Sequence, residues 1–215
     1  MKNEISDILE FFKLAERLKT ELRHSWTSDI SRQESVAEHT WMMLMMALIL
    51  MDKVGVNLDK LKALKMIIIH DLVEVLAGDV PSHELSKRQD AKQDNERQAL
   101  QKMTAMLDEQ ISGEILRLWE EFEAKETPEA KFALALDKFD CLFQHNVTDI
   151  KTWDEGDFRY TFIDEQDTPF DFDNFMRKLK DKLDDWTYQK IKKAGFVSRI
   201  PKENLKRYQS RDGRA

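Results

Sequence analysis

The chain has 215 residues, 41% apolar and 35% charged, with a net charge of −7. That balance excludes a disordered polymer and argues against a polymeric nucleic-acid ligand, whose binding face needs a basic excess. One cysteine, Cys141, rules out an intrachain disulfide and a thiolate zinc cluster. It reads as a core residue in a chain suited to a reducing compartment.

Six glycines and four prolines are few for this length, so long uninterrupted helices are expected. The fold class is therefore all-α, a single-domain helical bundle, with a sheet disfavoured by scarce β-branched alternation. The first helix is expected over residues 6–22, where Ile8, Leu9, Phe12, Ala15 and Leu18 recur at helical spacing. Arg23, His24, Ser25 and Trp26 follow, then a polar connection through Ser31, Arg32 and Gln33. A second helix is predicted over 36–53. Its apolar run of eleven residues, 41–51, is too short to span a bilayer and reads as a buried helix rich in pliable methionine. The third helix is placed at 58–76 and is broken by Gly78, Asp79, Val80 and Pro81. Residues 82–94 are polar and read as a solvent-facing segment beside a site.

Further helices are predicted over 95–107 and over 112–122, the latter with Ser112 as N-cap. A connector at 123–128 leads to a helix at 129–146 that buries Phe132, Ala133, Leu136, Phe139 and Phe143. Residues 148–171 are the least regular, and 171–194 form a long, charged amphipathic helix. The domain is expected over 1–198. A polar tail at 199–215 is expected to be frayed, although Tyr208 offers a side chain that packs. Glu4 and Asp7 interrupt the N-terminus as an export signal, so a cytoplasmic location without membrane attachment is expected.

The chemistry-bearing residues stand out against apolar neighbours. His70 and Asp71 follow Met66, Ile67, Ile68 and Ile69, a run after which a charge is costly unless satisfied. Glu74 lies four residues after His70 and so shares its side of a continuous helix. His39 precedes an apolar helical run, and Asp137 follows one. Each has a plain alternative: an interior histidine for His39, a cap or ion pair for Asp71 and Asp137, a turn residue for Asp79. Two imidazoles and two carboxylates on three helices make a mixed nitrogen–oxygen set for a divalent transition metal, provided the helices converge.

The ordered set His39, His70-Asp71 and Asp137, with Glu34-Ser35-Val36-Ala37-Glu38 before the first and Leu72-Val73-Glu74 after the doublet, resembles the HD-domain metal phosphohydrolase superfamily. The resemblance covers residues 5–147 and points to the branch that includes bacterial 5′-deoxynucleotidases. It implies His39, His70, Asp71 and Asp137 as ligands of one divalent transition metal per subunit. Mn²⁺ or Co²⁺ is the expected active ion, with Zn²⁺, Fe²⁺ and Ni²⁺ as alternatives. Glu74 and Asp79 match the branch's additional acidic positions, Glu74 acting on the attacking water and Asp79 at the leaving side or on the sugar. Arg23 is implied as a phosphate contact and Trp26 as a wall of the sugar pocket, although His24 and Ser25 intervene between them; Arg32 and Lys138 are alternative phosphate contacts. The implied reaction converts a 5′-deoxynucleoside monophosphate to deoxynucleoside and phosphate, in a homodimer that binds a small-molecule nucleotide. Hydrolysis of another small phosphate ester, and a non-catalytic metal- or nucleotide-binding dimer, remain the competing readings.

Overall fold

Two local departures from helical periodicity shape the N-terminal half. The computed structural model describes residues 4–78 and 92–211; Asp79 and most of the polar stretch expected over 82–94 lie outside them. Helix α1 (Glu4–Ala15) passes into a 3₁₀ turn at Glu16–Lys19 instead of running to residue 22. The chain then forms strand β1 (Leu22–Trp26), antiparallel to β2 (Gln33–Ser35), with Leu22 opposite Ser35 and Trp26 opposite Gln33. This ribbon corrects the expectation of no sheet. It is held by its turn: the Thr27 hydroxyl donates to Asp29 Oδ1 at 2.6 Å, and the same oxygen accepts from the Ser31 amide at 3.1 Å. Such polar turn chemistry specifies a reversal that short strands cannot announce by alternation.

Helix α2 (Val36–Leu50) starts on a capping box. The Glu38 amide donates to Ser35 Oγ at 3.3 Å, and the Ser35 amide donates to Glu38 Oε2 at 2.9 Å. Helix α3 (Lys60–Ile69) is capped by Asp59, then tightens into a turn before the short α4 (Glu74–Ala77). The Leu72 amide bonds to Ile69 O at 3.1 Å and the Glu74 amide to Asp71 O at 3.0 Å, three residues back in each case. The single helix expected over 58–76 is thus interrupted at the His-Asp doublet. Gly78, at φ 79°, ends α4, a conformation that suits glycine.

Helix α5 (Lys92–Thr104) leads to α6 (Glu109–Ala124). The cap of α6 is Asp108 rather than the expected Ser112, and its carboxylate accepts from the Gln110 and Ile111 amides at 2.9 and 3.0 Å. Helix α7 (Pro128–Val147) is capped by Thr127, with Pro128 in the first turn where no amide donor is needed. It buries Ala130, Phe132, Ala133, Ala135 and Leu136 completely and packs against α2, α3 and α6. With Met43, Met66, Ile67, Leu100, Met103 and Trp119 these residues form the main core.

The irregular stretch after α7 carries α8 (Glu155–Tyr160) and α9 (Asp164–Asp167), followed by the long α10 (Asn174–Lys193). Residues 202–209, expected to be frayed, form α11 (Lys202–Gln209). Tyr208 stacks on Phe162 with ring centroids 4.5 Å apart, and Asn204 donates to the carbonyls of Arg159 and Thr161 at 2.8 and 3.0 Å. Phe162 and Tyr208 join Trp153, Phe158, Ile191 and Ile200 in a second, smaller core. The helical bundle expected from the sequence is the architecture observed. Among the described residues no helix is long and apolar enough to cross a membrane.

Candidate active site

Three elements meet where the bundle turns polar. The capping box sets the start of α2, and His39 lies one turn inside it, fully buried. The end of α3 and the tight turn after it carry His70 and Asp71, and α7 carries Asp137. Ligand atoms of His39, His70 and Asp71 lie within 4.8 Å of one another. Asp71 Oδ2 stands 3.1 Å from His70 Nε2 and 3.7 Å from His39 Nε2. Asp137 joins on the far side, with Oδ1 3.4 Å from His39 Nε2. The break after α3 lets adjacent residues address one point, which a straight helix would aim about 100° apart.

Both imidazoles are oriented from behind. His39 Nδ1 is 2.6 Å from Asp140 Oδ2, and His70 Nδ1 is 2.8 Å from the Ile67 carbonyl. Each pairing places a proton on Nδ1, so Nε2, aimed into the cluster, is the nitrogen that takes up a proton or a metal, the arrangement found around metal-bound histidine. Neither buried Nε2 has a well-formed hydrogen bond among the described residues. Buried polar atoms are seldom left so, and here they converge on two carboxylates.

The electrostatics also call for a cation. Burial opposes ionisation of Asp71, but His70, Arg23 and His39 hold its carboxyl well below the usual range. Burial likewise raises Asp137, and Lys138, His39 and Arg23 more than offset it. Burial and Arg23 push His39 down, yet the Asp137 and Asp140 carboxylates beside it carry it up to about 9. Two ionised carboxylates therefore favour positive charge at the Nε2 position. A divalent ion answers that demand, and a nitrogen–oxygen donor set suits a borderline transition metal.

The cluster opens onto a cavity of about 730 Å³ lined by His70, Asp71, Glu74, Glu96, Asp137, Lys138 and Tyr160, among others. That volume is in the range of small-molecule sites. Glu74, the first residue of α4, is 4% exposed and faces this cavity. Lys138 Nζ lies 3.1 Å from Asp137 Oδ2. Arg23, on β1, reaches the cluster with its guanidinium 3.1 Å from Asp71 Oδ2 and 3.9 Å from Asp137 Oδ1.

The structure thus brings together His39, His70, Asp71, Asp137, Glu74, Arg23 and Lys138. It does not bring Trp26 to the lining of this cavity; the Trp26 carbonyl accepts from Gln144 Nε2 at 2.6 Å. Arg32 pairs with Glu38 on the exposed side of the ribbon turn. Asp79 lies outside the described residues. Sequence reasoning missed Asp140, now seen to be fully buried, although an aspartate three residues after Asp137 in an apolar helical segment is a detectable signal. It also missed Glu34, buried at 6% exposure.

Residues 15–180 match the HD-domain family. The 5′-deoxynucleotidase HDDC2 of Danio rerio is 35% identical over 142 residues, which cover 65% of this chain and 68% of the relative. The Dictyostelium discoideum protein of the same name is 36% identical over 146 residues, covering 65% and 76%. A crystal structure of a "predicted metal-dependent phosphohydrolase" from Magnetospirillum magnetotacticum MS-1 superposes with a TM-score of 0.75 at 27% identity, over 92% of this chain and 95% of that one. With two oriented imidazoles and two carboxylates gathered at the mouth of a cavity, the chain belongs to the HD-domain family of metal-dependent phosphohydrolases, among its 5′-deoxynucleotidase-like members.

Proposed function

We propose that this phosphohydrolase releases phosphate from 5′-deoxynucleoside monophosphates. The observation that carries the chemistry is the convergence of the His39 and His70 Nε2 atoms beside Asp71 at the edge of the 730 Å³ cavity. The substrate class rests on the relatives named 5′-deoxynucleotidase.

In this reading His39, His70, Asp71 and Asp137 hold one divalent ion, Mn²⁺ or Co²⁺ in the active form. When bound, the ion supplies charge neutralisation for the phosphate and a more acidic water. Glu74 accepts a proton from the attacking water, a role its burial and position on the cavity wall support. Arg23 and Lys138 supply fixed positive charge where phosphoryl oxygens gather negative charge. Asp79 assists at the leaving oxygen or the sugar. Discrimination against ribose requires a close fit around C2′.

A second copy of the chain completes the proposed assembly. Trp41, Met45 and Leu48 form an exposed apolar stripe along α2, 59%, 39% and 65% accessible, which suits a homodimer contact. The proposed setting is the cytoplasm.

Phosphate release from dAMP, dGMP, dCMP, dTMP and dUMP, each beside its ribonucleotide and with Mn²⁺ or Co²⁺ present, tests the substrate assignment. Release confined to the deoxy compounds is expected. Equal rates on ribonucleotides, or turnover only of other phosphate esters, overturn it.

A further inference from the structure

A second cluster of metal-type ligands lies apart from the first, where β1, α7 and α8 meet. His24 on β1, His145 in the last turn of α7 and Asp157 in the first turn of α8 bring ligand atoms within 4.8 Å of one another. Asp157 Oδ1 is 3.2 Å from His24 Nε2 and 3.0 Å from His145 Nε2. Asp154 Oδ2 stands 3.7 Å from His24 Nε2 and is half exposed. A tetrahedral ion with bonds of about 2.0–2.1 Å separates its ligand atoms by roughly 3.3–3.4 Å. The observed spacings bracket that edge length.

We propose that His24, His145 and Asp157 bind a second divalent metal ion, of the Zn²⁺ class, with Asp154 or water in the fourth position. Three features beyond proximity support this site. His145 Nδ1 lies 2.7 Å from the Cys141 carbonyl, a pairing that puts the proton on Nδ1 and leaves Nε2 to coordinate. Asp157 is fixed as well: its Oδ2 accepts from the Asp154 amide at 2.8 Å within the capping box of α8 and lies 3.3 Å from His24 Nε2, while Oδ1 faces both imidazoles. The Trp153 ring meets His145 edge-on at 5.6 Å and walls one side, while the half-exposed Asp154 leaves an approach from solvent.

The ligands come from residues 24, 145 and 157, so an ion here ties the N-terminal ribbon to the C-terminal part of the chain. Its consequence reaches the first site, because His24 is next to Arg23 on β1. Holding this strand against α7 fixes the backbone from which Arg23 reaches Asp71 and Asp137.

The test is zinc stoichiometry of the full-length protein by native mass spectrometry, after chelator stripping and titration with Zn²⁺. Wild type is expected to bind two ions per chain. His24→Gln and Asp157→Asn should each bind one, His70→Gln should keep the ion at the second site, and the His70→Gln/Asp157→Asn protein should bind none. Cobalt titration read by visible absorption gives a second readout: His70→Gln should retain the intense tetrahedral bands and Asp157→Asn should lose them. His24→Gln leaves the α8 capping box intact, so it reports even where Asp157→Asn fails to fold. Saturation of wild type by one ion, or retention of two ions in His24→Gln, overturns the proposal and leaves the cluster as a proton-bonded clasp. The first site is read separately by the loss in His70→Gln.

Discussion

Asp140 acts through His39 rather than on substrate. Its 2.6 Å contact to Nδ1 sets which imidazole nitrogen carries the proton. Such outer partners are worth about 10–100-fold in metal affinity. Asp140→Asn should therefore weaken Mn²⁺ or Co²⁺ binding by about that factor, measured by competition with a chromophoric chelator, and excess metal should restore most of the activity. Unchanged affinity would remove Asp140 from this role. Glu34 gives a pH signature. Burial and then the Asp140 charge raise its carboxyl from 4.5 to about 7. The folded state holds that proton more tightly than the unfolded chain, so stability is lost as pH rises from about 4.5 through about 7. In metal-free protein Glu34→Gln should flatten the fall in Tm between pH 5 and pH 8. Parallel wild-type and variant profiles would contradict this.

The elements differ in how clearly residues announce them. Helix α2 was legible because Ser35 and Glu38 form a capping box ahead of an apolar run. Ser35→Ala should lower stability by about 1 kcal/mol in urea unfolding, the usual cost of a lost cap. The His-Asp doublet was legible as chemistry, but the break that makes it usable was not. The run from Lys60 to Ala77 contains no glycine or proline, and tight turn bonds after Ile69 redirect the chain there. The β1–β2 ribbon was hidden for a related reason. Its register is fixed by side-chain bonds among Thr27, Asp29 and Ser31, while its strands are too short to show alternation. Helix α11 was missed because its composition is polar and its stability comes from Tyr208 and Asn204 meeting residues some forty positions earlier.

At the scale of the molecule, α7 joins the main core, the candidate metal cluster of the active site and the second cluster proposed above. It carries Asp137 and Asp140 toward one and His145 toward the other. The ordered His39, His70-Asp71 and Asp137 pattern made the first cluster readable, whereas residues 24, 145 and 157 have no local spacing that suggests they meet. The C-terminal part is tied down by charge as well as by aromatic packing. Lys180 is 1% exposed and donates to Asp167 and Asp184 at 3.0 and 2.5 Å. Asp167 and Asp184 keep Arg177 and Arg211 as partners, so losing Lys180 costs its charge-assisted hydrogen bonds, at about 1.5–3 kcal/mol. Lys180→Ala should lose stability on that scale in chemical denaturation without changing metal affinity at the first site. A change below about 0.5 kcal/mol, the size of an ordinary surface substitution, would count against the network.

The proposed catalysis requires a metal held by His39, His70, Asp71 and Asp137 and a proton taken by Glu74. The most direct measurement is phosphate release from dAMP by chelator-stripped protein before and after Mn²⁺ is restored, in wild type, Asp71→Ala and Glu74→Gln. Wild type should be inactive when stripped and recover with Mn²⁺, and Asp71→Ala should not recover. Glu74→Gln should bind the ion yet turn over about 10²–10⁴-fold more slowly. Full activity in the stripped protein, or recovery of Asp71→Ala to the wild-type rate, would contradict it.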